Sequence, residues 1–152
     1  MAKLQIRFTR LSNTHHRFEA IRPDGGVETR ELETRSFLLH DLVHYAIESE
    51  AGLRNSFYGQ LARGASYDDV AGDAEGGKTE LVVGALQTAS KGEPDPVAFV
   101  VQLQAYWGNI GGQPPSWLTP TLIAAALERL RQVQGRWRAT KFGEAMELDF
   151  EV

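Results

Sequence analysis

Leu4-Gln5-Ile6-Arg7-Phe8-Thr9 places an apolar side chain at every second position. This is the period of a strand with one buried and one wet face. Met146, Leu148, Phe150 and Val152 repeat it at the other end, alternating with Glu147, Asp149 and Glu151. The closing strand is therefore expected to return to the sheet that the opening one begins. Between them, His16 to Arg22 and Val27 to Leu32 read as two further strands. They are separated by Pro23-Asp24-Gly25-Gly26, where proline presets φ and glycine admits positive φ.

From Leu38 the period changes. Leu38, Leu39, Leu42, Val43, Ala46 and Ile47 share one face at 100° per residue, with Ser36 as the expected cap and Gly52 as the stop. A short helix is expected over Leu53 to Ala62 and a polar, glycine-rich loop over Gly64 to Gly77. A third helix is read through Leu81 to Leu86. Asp95-Pro96 and Thr119-Pro120 each pair a capping side chain with a proline in the first turn. They predict helices from Pro96 to about Trp107 and from Pro120 to Gly135. The expectation is one α+β domain over residues 1–152, an antiparallel sheet of three N-terminal strands and a C-terminal strand packed on four to five helices.

The chain has 152 residues, enough for one core without staples. It contains no cysteine, which excludes disulfides, thiolate metal sites and thiol nucleophiles. Sixteen Lys and Arg stand against twenty Asp and Glu, a net charge of -4. Nucleic acid and anionic membranes are accordingly not expected partners. Arg7, Arg10, Arg17, Arg22, Arg30 and Arg35 are read as the wet face of the sheet. With no signal-like or membrane-length apolar run, a cytoplasmic location is expected.

His40, Asp41, His44 and Glu48 form one stripe on the helical wheel, opposite the apolar face. Histidines four apart can direct ring nitrogens at one ion, and a carboxylate adds a third donor. His40 and His44 are thus the candidate metal ligands, zinc being the expected metal, with Asp41 or Glu48 as ligand or proton-transfer group. Without metal, Asp41 or Glu48 could instead orient His44 as a general base. The same four residues also fit an ordinary solvated face. His15 and His16 would complete a site if their strand lay beside the helix. The functional expectation is a metal-dependent or histidine-assisted, hydrolase-like enzyme. The alternative is an interaction module, a homodimer among its forms, using the loop from Trp107 to Trp117 or the exposed sheet face.

The strings HDLVHYAIE (40–48), SFYGQLARG (56–64) and FGEAMELDF (142–150) resemble, over most of the chain, a bacterial protein family that carries no assigned activity. The HDxxH portion is also similar to the zinc motif of a coenzyme Q biosynthesis family. There a glutamate follows at a longer spacing. The matching position here is Ser56, so that resemblance covers His40, Asp41 and His44 alone. HD-domain phosphohydrolases also use a His-Asp pair, in an all-helical setting unlike this β-rich start.

Residues Gly72 to Thr79 match the GxxxxGK[ST] phosphate-loop pattern. A working loop follows a buried strand, whereas Ser66 to Ala71 is polar. Asp73 and Glu75 would also put negative charge in a phosphate cradle. No nucleotide is expected.

Overall fold

The computed structural model describes residues 2–69 and 74–152. Its sheet comprises β1 (Lys3–Arg10), β2 (His15–Ile21), β3 (Val27–Glu33) and β4 (Ala145–Glu151). The strand order is β3-β2-β1-β4 and every pairing is antiparallel. The register explains the alternation. Ile6 stands opposite Ala20 and Leu148, and Phe8 opposite Phe18 and Met146, so the inward residues form continuous apolar rows. Outward, Arg7 lies between Glu19 at 4.0 Å and Glu147 at 3.3 Å. The β2–β3 turn closes as its residues predict, with Gly25 at φ +92° and the Asp24 carboxylate accepting from the Gly26 amide at 2.8 Å.

The single wet face expected of the arginines is corrected: Arg35 lies in the first helix (Thr34–Ala51), off the sheet, and the others divide by parity. Arg7 and Arg17 point outward. Arg10, Arg22 and Arg30 point to the helical side and bind there: Arg10 stacks 4.3 Å over the Trp137 ring, and Arg22 donates to the carbonyls of Leu61 at 2.7 Å and Ala65 at 2.9 Å. Arg30 pairs with Glu28 and Asp68. Strands place successive side chains on opposite faces, so even-numbered arginines had to face the helices.

The helical side holds α1 (Thr34–Ala51), α2 (Phe57–Ala62), a 3₁₀ turn (Tyr67–Asp69), α3 (Ala74–Ala89), α4 (Pro96–Asn109) and α5 (Pro120–Ala139). Helix α1 follows β3 without a loop. Its N-cap is Glu33, and the Ser36 hydroxyl donates to the Glu33 carboxylate instead of capping. Gly52 ends α1 in the left-handed region at φ +67°, as expected. The aspartate-proline and threonine-proline starts hold in full. Asp95 accepts from the Ala98 amide at 3.0 Å and Thr119 from the Leu122 amide at 3.1 Å. Helix α5 runs four residues past Gly135, where Trp137 packs against His16 and Arg10.

The loop expected over residues 64–77 is shorter, because α3 already starts at Ala74. Gly72 and Asp73 of the phosphate-loop pattern lie outside the described residues. Lys78 and Thr79 sit within α3, and the Thr79 hydroxyl is buried 3.0 Å from that of Ser56. Among the described residues no helix is long and apolar enough to cross a membrane.

Candidate metal centre

Helix α1 is packed on both sides. Its Leu42, Val43, Ala46 and Ile47 join the core, while α2 and α3 cover the stripe opposite. The polar stripe is therefore buried instead of solvated: Asp41 is 1% exposed, His44 3% and Glu48 0%. Burial of ionisable groups demands partners, and each of the three has them.

His44 Nδ1 donates to Glu48 at 2.8 Å, one turn along the helix. The Glu48 carboxylate also accepts the backbone amides of Phe57 at 3.1 Å and Tyr58 at 2.9 Å, at the start of α2. His40 Nδ1 donates to the side-chain oxygen of Gln87 on α3 at 2.8 Å. Both Nε2 atoms then point to one carboxylate. His40 Nε2 lies 2.9 Å from one oxygen of Glu80 and His44 Nε2 lies 2.8 Å from the other. Donor atoms of His40, His44 and Glu80 all fall within 4.8 Å of one another, close enough to hold a metal ion. His44 is sealed in, whereas the side chains of His40 and Glu80 are 31% and 56% exposed. The cluster opens to solvent on that side.

Electrostatics follow from these contacts. The Glu80 carboxylate raises the His40 imidazole above its usual range, against the opposing effect of burial. Burial alone would lower His44, but Glu48 and Glu80 outweigh it and lift the ring to about 9. The two histidines hold the Glu80 carboxyl well below the ordinary carboxylate range. Asp41 is the opposite case. Burial pushes its carboxyl up to about 7, with the Tyr67 hydroxyl and the nearby histidines pulling it back.

The two predicted ligands are thus brought together, while the two predicted acids go elsewhere. Glu48 meets the Nδ1 side of His44, and Asp41 meets Tyr67. The carboxylate facing the Nε2 atoms is Glu80, which sequence reading missed. Its signal was faint: Glu80 and Gln87, seven apart, share one border of the face that buries Val83 and Leu86. His16 does not complete the cluster. It is fully buried against Phe8 and Trp137 and bonds Thr34 at 3.0 Å, while His15 contacts Thr14. Trp107 is buried in the core at 5% exposure, so the exposed aromatic beside the 108–116 loop is Tyr106.

Ser56 contacts Thr79, the neighbour of Glu80 on α3. Comparison of the chain with family models, with curated proteins and with solved structures found no match.

Proposed function

We propose that the chain is a metal-dependent, hydrolase-like enzyme whose divalent ion, zinc by preference, is held by His40, His44 and Glu80. One observation carries this reading. Both Nδ1 atoms face acceptors, Gln87 and Glu48, which directs both Nε2 atoms to the Glu80 carboxylate. Ligating histidines commonly bind through one nitrogen while the other is held by such a partner.

The donor set suits zinc. Two imidazoles and one carboxylate are the ligands of zinc hydrolases that keep a fourth position open. A tetrahedral ion with bonds near 2.0–2.1 Å separates its ligand atoms by about 3.3 Å. The half-exposed Glu80 side chain therefore has to draw back by roughly half an ångström from contacts now at 2.8 and 2.9 Å. Charge also balances, since a dication replaces the protons on two Nε2 atoms. When bound, such an ion supplies Lewis acidity and an acidified water for hydrolysis. His40 and Glu80 admit solvent and substrate from the open side, and buried His44 anchors the set.

The test is hydrolysis of chromogenic ester and phosphoester substrates, with and without chelator. The reading expects chelator-sensitive turnover that zinc restores and that is lost in His40→Ala and Glu80→Ala. Turnover indifferent to chelator and to both substitutions would refute it.

A second reading, the interaction module, draws on α4. This helix carries no charged residue, and Val97, Val101 and Tyr106 on it, with Ile110 at its end, are exposed. Such a patch suits a protein partner. Val101→Lys should then weaken association while leaving stability within about 0.5 kcal/mol.

A further inference from the structure

We infer that Glu48 is a positioning residue of the metal site, one that fixes which nitrogen of His44 is free to bind metal. This rests on the metal reading above and assigns Glu48 a place that is neither ligand nor proton donor.

The argument is one of donor and acceptor inventory. Glu48 is fully buried, and its carboxylate receives three donors: His44 Nδ1 and the amides of Phe57 and Tyr58. A backbone amide can only donate. With an amide donor on each of its oxygens the carboxyl stands as an acceptor, and an acceptor in that place requires a hydrogen on His44 Nδ1. In the neutral ring that ligates metal, the lone pair must then sit on Nε2, the atom that faces Glu80. The ring has little freedom to escape this choice, packed 4.8 Å from the His40 ring and 5.1 Å from Phe57.

Glu48 also joins two elements. Through one carboxylate, the α1 residue that ligates metal is tied to the first turn of α2. Placement of that turn is thereby a condition of metal binding, although α2 supplies no ligand atom to the set of His40, His44 and Glu80.

Glu48→Gln separates this role from simple packing, because it keeps volume and shape. Tyr58 bonds one oxygen of Glu48, while Phe57 and His44 Nδ1 share the other. An amide oxygen kept for the fully buried Tyr58 amide gives up the part-buried Phe57 bond and puts the amide nitrogen at the shared place, facing His44 Nδ1. That nitrogen donates there, moves the ring hydrogen to Nε2 and blocks the ligating atom. Zinc affinity, measured by competition with a chromophoric chelator, is expected to fall 10- to 100-fold or more. Nitrogen-15 NMR of the neutral His44 ring is expected to show the hydrogen on Nδ1 in the wild type and on Nε2 in the variant. A fold defect would not produce that exchange of tautomers.

A second measurement needs no variant. In the zinc-loaded wild type, the His44 nitrogen shifts should show metal on Nε2 and hydrogen on Nδ1. Metal on Nδ1, or equal zinc affinity in wild type and Glu48→Gln, overturns the positioning role alone. Failure of the wild type to bind zinc overturns the metal reading, and the positioning role with it.

Discussion

Tyr67 donates its hydroxyl hydrogen to the buried Asp41 carboxylate, 2.9 Å from one oxygen and 3.1 Å from the other. Among the described residues no other donor reaches that carboxylate. The contact joins the 3₁₀ turn to α1 one residue from His40, and the Tyr67 ring packs edge-on against Phe18 at 5.2 Å and Phe57 at 5.4 Å. Tyr67→Phe keeps both ring contacts and removes only the hydrogen bond. It should cost about 1–3 kcal/mol, the usual penalty for stranding a buried polar group. A urea midpoint equal to that of the wild type would show that Asp41 finds another donor.

Gly59 is the third residue of α2, where the backbone passes close to the link that follows α1. A Cβ there would stand 2.0 Å from the carbonyl oxygen of Arg54, a backbone atom that cannot swing aside. Gly59→Ala should therefore destabilise by roughly 1–3 kcal/mol, as overpacking does. It should also disturb the Phe57 and Tyr58 amides that hold Glu48, so zinc affinity should fall with stability. Thermal melts and chelator competition on the same sample check both. Unchanged values in both would mean that α2 packs otherwise.

His16 sets an acid limit on the fold. It is fully buried, its Nε2 has no hydrogen-bond partner among the described residues, and burial, with the neighbouring His15, lowers its ring to about 4. An unfolded histidine takes up its proton near 6.5. Between those values the unfolded chain binds more protons, so this residue's contribution to stability falls as pH drops from 6.5 to 4. The loss is about 3 kcal/mol at most. His16→Gln cannot take up that proton and should flatten the stability profile across this window, whatever its effect at pH 8. Parallel profiles for the two proteins, measured by denaturant titration, would contradict the assignment.

Much of this architecture was legible because local signals agreed with the tertiary outcome. The alternation at Leu4, Ile6 and Phe8 matches their register against β2 and β4. Asp95 and Thr119 cap the helices that their prolines open. What escaped reading depends on layers. Nothing in residues 40–48 says that α2 and α3 cover the polar stripe of α1, yet that cover changes His44 and Glu48 from solvated groups to buried, fully bonded ones. Glu80 was missed for the same reason. It is one acid in a polar stretch until α3 turns it toward α1, 36 residues past His44. The start of α1 was misplaced because Ser36 is a good cap by type, while the direct passage from β3 into the helix leaves that position to Glu33.

The central claim is that His40, His44 and Glu80 bind one metal ion, and metal content of tag-free protein, read by mass spectrometry after zinc loading and desalting, tests it most directly. The account predicts about one zinc per chain in the wild type. His44→Ala and Glu80→Ala should both lose it, with Glu80→Ala retaining the wild-type circular dichroism spectrum because that side chain is 56% exposed. No zinc in the wild type, or zinc kept undiminished by Glu80→Ala, would contradict it.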